Sequence, residues 1–546
     1  MKTLFRALLV LAALILAGIA ALSFWVGPRV EEMARRELAE LPEAAATEYL
    51  RFSPPEVREI AFSPFSRRLT LRGLEMRGTM APQALEGGTP ERQPAPGEAR
   101  YTLEEISCRL PLRALLLYTP LRGLVLPETG MITIGEDVRL SNFASFLAQG
   151  PIRTQSTVKS KEAEGIRMDS ALLRQLLEER ESQGDTPRAQ PAPDVLEIFY
   201  GMAIRELRVS DMRMSSTLPE GHGTVDFSCE SIHMRNWEGR SLQEASLNGL
   251  NLNVDGQEFL RLGNLTEKGI TFPEEAALRE LIAQACRPNP DQRALQTLLL
   301  RMFTSGEPLI RELSAADLRV ALDDKAGQAV TLSKAALHWQ SSAPLRYSFS
   351  VDALSLPTAL VQRKSGLAFP GLPALVLDAS LSFAAQDADA MREQGTIRAA
   401  ALGALEYDFV ISGKAGALTL GQALLGSAFR DVRLKYADQG LMAYLARNIL
   451  PSAREATPIL KEAVAAFCSG PAPENPAIRK ALDTFVTMPG ILEAQSKPGR
   501  TFRILDFIGL LGGDPGALFT VTAQPGKESL EAQIDSLNAA ATAPAQ

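Results

Sequence analysis

The chain has only three histidines, three tryptophans and four cysteines in 546 residues, and 6 % of it is aromatic. So few aromatic rings leave little material for platforms that stack sugars or bases. No CxxC pair occurs, so neither a zinc ribbon nor a dithiol redox site has support. A G-x-S-x-G elbow, a P-loop and a G-x-G-x-x-G following a strand are also missing. Fifty-seven basic residues stand against 64 acidic ones, for a net charge of −7, with no dense Lys/Arg block. That balance excludes nucleic acid as an expected partner.

What is present begins at residues 7–26, a run without a single charged side chain. At ~1.5 Å per residue it spans about 30 Å, the thickness of a bilayer's hydrocarbon core. Lys2 and Arg6 precede it, so the positive-inside rule predicts a cytoplasmic N-terminus, a single-pass anchor and an exported body, that is, inner-membrane localisation with a periplasmic domain. Cleavage as a signal peptide after Gly18-Ile19-Ala20 is the alternative. The anchor is preferred because the run continues to Val26. In an oxidising compartment Cys108, Cys229, Cys286 and Cys468 would permit three fully paired patterns. Cys108 and Cys229 also fall on apolar strand faces, where each could be a small buried hydrophobe.

The fold class expected is mainly β with helical insertions, an α+β chain whose body is an elongated, repetitive antiparallel sheet curling into a groove. Residues 1–27 read as tail and anchor, and 28–150 as a helical stem plus a first β-rich region. Val30, Met33, Ala34, Leu38 and Leu41 recur at helical spacing and predict a stem that ends near Pro42. VREIAF (57–62) and RLTLRGLEM (68–76) then read as a hairpin, with Gly73 as a bulge that resets the register. Residues 80–99 are a Pro/Gly/Glu-rich loop, and 151–198 read as a polar flexible insertion. A repetitive β body is expected over 199–435: IRELRVSDMRM (204–214) and IRELSAADLRV (310–320) agree at six of eleven positions, and VREI (57–60) and FRDV (429–432) echo their start. Residues 436–546 read as a helical and mixed region, with helices at 438–468 and 476–495 and an Ala-rich frayed tail. A further helical stretch, split by Pro288 and Pro290, covers 273–304.

The apolar N-terminal run, Phe62-Ser63-Pro64-Phe65 leading into Leu69-Thr70-Leu71-Arg72-Gly73-Leu74-Glu75-Met76, and the repeated strand pairs resemble the AsmA-like proteins of the Gram-negative envelope. That resemblance implies an inner-membrane-anchored periplasmic protein with an apolar-lined sheet that helps move phospholipid or assists outer-membrane assembly. The YdgA-like family, with repetitive strands broken by helices, is a competing resemblance. The chain lacks the Gly-rich C-terminal strand run associated with AsmA-like proteins, and helices interrupt 438–495.

Catalytic patterns are incomplete. Ser156-Thr157-Val158-Lys159 has the S-x-x-K form of penicillin-binding enzymes, but Ser210-Asp211-Met212 is not S-D-N and Lys414-Ala415-Gly416 is not K-T-G. Asn251 to Gly256 imitates the opening of a calcium loop, yet its twelfth position is Leu262; a strand ending in an Asp-Gly turn explains the same residues. His222 reads as a turn residue, and His233 and His338 as structural histidines on strands. Asp323-Asp324, Asp387 and Asp389 read as solvated turn residues. No catalytic, cofactor or metal-binding residue is therefore assigned, the ligand-binding residues stay unknown, and no enzyme activity is expected. The function expected is support of envelope biogenesis, with the bilayer, phospholipid and other envelope proteins as partners. The alternative is a non-enzymatic scaffold with a filled core. An uncovered apolar face would distinguish the first from the second.

Overall fold

The computed structural model describes residues 27–42, 50–80, 97–117, 125–150, 152–181, 194–217, 223–285, 309–323, 328–342, 345–386, 390–412, 428–450, 453–468, 475–503 and 515–542. It divides into two units, residues 1–305 and 306–546. Both are mainly antiparallel β.

In the first unit a helix over 27–42 (α1) precedes β1 (Leu50–Phe52), β2 (Glu56–Ser63), β3 (Arg68–Met80), β4 (Gly97–Arg109) and β5 (Met131–Gln149). There follow β6 (Ile152–Asp169), β7 (Met202–Thr217), β8 (Thr224–Glu238), β9 (Ser241–Val254) and β10 (Gln257–Thr271). β1 and β2 both pair with β3, and from β3 onward each strand pairs with the next. Short helices α2 (Leu112–Leu116), α3 (Ser170–Glu181), α4 (Val195–Gly201) and α5 (Glu275–Ala285) sit at strand ends. The predicted stem is present as α1, with Val30 and Ala34 buried; Val30 packs with Phe62 and Leu115, and Glu31 Oε1 accepts the Phe62 amide at 2.8 Å.

The second unit repeats the meander with β11 (Glu312–Asp323), β12 (Gln328–Ser342), β13 (Leu345–Pro357), β14 (Ala374–Ala385), β15 (Ala390–Ala399), β16 (Gly403–Ser412) and β17 (Ala428–Asp438). β18 (Ile491–Ser496) and β19 (Phe502–Arg503) pair with β17, and β20 (Phe519–Gln524) with β18. Helices α6 (Thr358–Ser365), α7 (Leu441–Ile449), α8 (Ala453–Cys468), α9 (Pro476–Thr487) and α10 (Leu530–Thr542) supply its helical layer.

One backbone device recurs. Gly73, Asn142, Asp211 and Gly249 lie on every second strand from β3 to β9 and have φ of +63°, +49°, +52° and +62°. The left-handed region costs a residue with a β-carbon about 1–2 kcal/mol, and Gly, Asn and Asp tolerate it best. The Cα pairing skips these positions, yet at Gly73 each side skips one residue: Arg72 faces Glu105 and Leu74 faces Leu103. At each kink the two strands skip equal numbers of residues, one at most of them and two where Gly249 faces β8, so the strands bend at one level without losing register. Gly73 is therefore a kink and not the register-resetting bulge that the hydrophobic phase implied. Asp317 repeats the device in the second unit at φ +54°, whereas Asp431, at φ +52°, lies at a bulge where the β16–β17 register shifts by one residue. The matched Asp211 and Asp317 of the two IREL segments thus share a conformation, whereas the FRDV echo belongs in a different register.

Several expectations are corrected. Residues 152–169 are not a flexible insertion but an 18-residue central strand, held by β5 on one side and β7 on the other. Its polar residues misled because they alternate on a two-sided sheet. Residues 491–496 are strand, not the end of a helix. The Ala-rich tail is α10, fixed because Leu530 and Ile534 are buried one helical turn apart against Ala443, Ala446 and Ala456. Among the described residues no helix is long and apolar enough to cross a membrane. The single-pass, inner-membrane localisation is corrected accordingly, and residues 7–26 themselves lie outside the described residues, as do most of 80–99 and 286–304.

Candidate functional site

Between the kinks, strict alternation sorts the first sheet into two chemistries. Ile106, Leu140, Val209, Ile232, Leu247 and Leu265 form one transverse row across β4 to β10, interrupted only by Lys161 on β6. One residue along, on the opposite face, the partners are Ser141, Ser160, Ser210, Ser231, Asn248 and Asn264. Part of this second row is hydrogen-bonded along itself: Asn264 Nδ2 donates to Asn248 Oδ1 at 2.6 Å, and Asn248 Nδ2 to Ser231 Oγ at 3.0 Å. The aliphatic row is only half-buried, and none of its residues belongs to a buried core. Those cores lie under α1, α2 and α3, around Leu115 and around Ile132, Met168 and Leu172.

The second sheet carries aromatic rings at the equivalent phase. Trp339, Tyr347, Phe383, Glu393 and Phe409 follow one another across β12 to β16. Tyr347 and Phe383 stack at 4.3 Å, and Trp339 lies 6.1 Å from Tyr347. Two residues along each strand on the same face come Leu337, Phe349, Leu381, Gly395 and Tyr407.

Glu393 is the one charged group in that aromatic row. Directly across from it are Phe383 and Phe409. Tyr407 Oη donates to its Oε1 at 3.1 Å. Gly395 makes this bond possible, since a β-carbon there would lie 2.8 Å from the Tyr407 ring and hydroxyl and 2.8 Å from the Ser380 carbonyl. Desolvation raises the Glu393 carboxyl above the usual carboxylate range, opposed only by the Tyr407 hydrogen bond. Burial, with the neighbouring Glu393 charge, pushes the Tyr347 phenol up to about 12. Burial also raises Tyr407, aided by Glu393.

A cavity of about 810 Å³ opens on the other face of this sheet, lined by Ser348, Ser350, Ser380, Ser382, Gln394 and Thr396 among others. Two of the charged pairs at its rim are Lys435 with Glu406 at 3.6 Å and Asp408 with Arg392 Nε at 2.8 Å, and Arg433 and Glu493 also line it.

The sequence motifs are dispersed. Ser156 and Lys159 lie on β6 three residues apart, which on a strand directs them to opposite faces, and Ser156 bonds to Ser145 instead. Asn251 and Asn253 belong to β9, and Asp255-Gly256 closes the β9–β10 hairpin as read, with φ of +54° and +76° and Asp255 Oδ1 accepting the Thr224 amide at 2.8 Å. His233 Nε2 lies 2.6 Å from Glu206 Oε1, which Arg208 also holds at 2.6 Å; these partners keep the Glu206 carboxyl below its usual range, Arg208 foremost. His338 sits 3.9 Å from Glu312. Cys108 and Cys229 are free thiols, and burial pushes Cys108 up to about 11. His222, Cys286, Lys414, Asp324, Asp387 and Asp389 lie outside the described residues. Glu393 escaped sequence reading, although its signal is visible: Met391, Glu393, Gly395 and Ile397 form the apolar phase of β15, with Arg392, Gln394, Thr396 and Arg398 between them.

Comparison with protein-family models, with curated proteins and with solved structures finds no match to this chain.

Proposed function

We propose that this protein is a non-enzymatic lipid-binding protein whose apolar sheet faces form a β-groove for phospholipid acyl chains, in support of lipid transfer during envelope biogenesis. The observation that carries this reading is the aliphatic row from Ile106 to Leu265, present on six of seven consecutive strands and broken at Lys161, half-buried and outside the buried cores of its unit. An antiparallel sheet ordinarily buries one face. Acyl chains complete that burial, at about 0.8 kcal/mol for each methylene shielded. The resemblance to AsmA-like proteins points to the same cargo.

The test is to purify the full chain, extract it with organic solvent and identify co-purifying lipid by mass spectrometry, alongside Val209→Asp and Leu247→Asp. Phospholipid at about one or more molecules per chain, lost in both variants, is the expected result. A folded, lipid-free wild type would replace this reading with that of a scaffold.

A further inference from the structure

The carboxylates of this protein whose surroundings are most marked are matched to cations. Glu75 is held by Arg77 and Arg100, Asp137 by Arg68 and Arg139, Asp194 by Arg279, and Glu206 by Arg208 and His233. Each is held below its ordinary range. Glu393 departs from this rule, for among the described residues it has no cationic partner. A carboxylate offers about four lone-pair sites, and Tyr407 uses one of them.

Its neighbours define what would satisfy the rest. Phe383 and Phe409 flank Glu393 on the adjacent strands, and the Tyr347 ring stacks on Phe383. Aromatic faces attract cations through the ring quadrupole, and a carboxylate beside them supplies the full charge. Water satisfies such a group poorly on an apolar face, and among the described residues no guanidinium is placed to do so. Two residues further along the same face come Leu381 and Phe349, apolar surface continuous with the charged position.

We infer that Glu393, oriented by Tyr407 and flanked by Phe383 and Phe409, recognises the ammonium of an amine-bearing phospholipid headgroup, whose chains lie along the adjoining apolar rows. This assignment rests on the acyl-chain reading above and adds headgroup selection to it. Gly395 belongs to the device as a positioning residue, because the Tyr407 ring occupies the space a side chain there would fill.

The experiment is calorimetric titration of the full chain at pH 8 with short-chain phosphatidylethanolamine and with phosphatidylglycerol of identical chains, both below their micellar concentrations. Wild type should bind the ethanolamine lipid about tenfold more tightly, equivalent to about 1.4 kcal/mol. In Glu393→Gln the two affinities should converge to within about twofold, chiefly through weaker binding of the ethanolamine lipid. Leu381→Asp should weaken both lipids together, and glycerophosphoethanolamine, which has no chains, should not compete. Equal binding of the two lipids by wild type, or a preference that survives Glu393→Gln, overturns headgroup recognition and leaves the acyl-chain reading standing. Competition by glycerophosphoethanolamine at the lipid's own concentration overturns it in favour of a soluble amine. Failure of both lipids to bind overturns both readings.

Discussion

The two units share one strand grammar and differ in what they place on it. Each is an antiparallel meander in which a left-handed Asp, Asn or Gly precedes a hydrophobic-x-hydrophobic triplet, as in Asp211-Met212-Arg213-Met214 and Asp317-Leu318-Arg319-Val320. In the first unit the phase holds branched aliphatics and its polar partners form a Ser/Asn ladder. In the second, the phase holds rings and one unpaired carboxylate, and five helices cover one part of the unit. The difference teaches that backbone kinks set the geometry of such a sheet while the residues at one phase set its chemistry, so surface chemistry can change without a change of fold.

The sharpest break of this comparison is energetic. In both units a fully buried residue of the helical layer should behave as core, and a half-buried aliphatic of the rows should not. Leu115→Ala in the first unit and Ile534→Ala in the second should each cost about 2–5 kcal/mol in urea unfolding followed by circular dichroism, because both are almost completely buried. Leu247→Ala and Leu381→Ala, half-exposed, should each cost about 1 kcal/mol or less. Equal costs would mean that the rows are packed core and would remove the basis for a binding face.

A smaller effect tests the shared grammar. Asp211→Val and Asp317→Val should each destabilise by about 1–2 kcal/mol, since a branched side chain is strained at positive φ, whereas the glycine variants should fall within about 0.5 kcal/mol of wild type. A cost at one position alone would show that the two kinks are not equivalent.

The smallest effect is one of sign with pH. Glu393 is raised in the folded state, so its contribution is fully present below the unfolded carboxyl pKa, ~4.3, and is lost as pH rises through the folded value. Glu206 is lowered, so its contribution is present above the unfolded pKa and is lost as pH falls through the folded value. Stability measured from pH 3 to 8 should therefore rise at neutral pH in Glu393→Gln, while Glu206→Gln should lose stability there and flatten the acid limb. A destabilised Glu393→Gln at neutral pH would show that the carboxylate already has a partner.

Much of the fold was legible because it is local. Period-2 alternation located most strands, α1 followed from Val30, Ala34 and Leu38, and the Asp255-Gly256 hairpin from its turn chemistry. The exceptions share a cause. β6 looks like a polar insertion in sequence because its lysines, glutamates and serines give no hydrophobic phase until β5 and β7 pair with it. The alanines of α10 announce no core until α7 and α8 present one. Of the candidate site, Glu393 stood in plain view as a polar residue on an apolar phase, yet nothing local distinguishes that from an error of phase.

What the sequence determined by itself is the alternation of each strand and the residues able to kink it, for both depend on a residue and its immediate neighbours. Only the tertiary structure decided which strand faces which. Register across the ladder therefore settled that six half-buried aliphatics line up in one row, that Tyr407 folds over Gly395, and that Glu393 lies between two phenylalanines with no cationic partner among the described residues. These facts concern pairs of residues on different strands, and the pairing energy that selects them is a sum over the whole sheet.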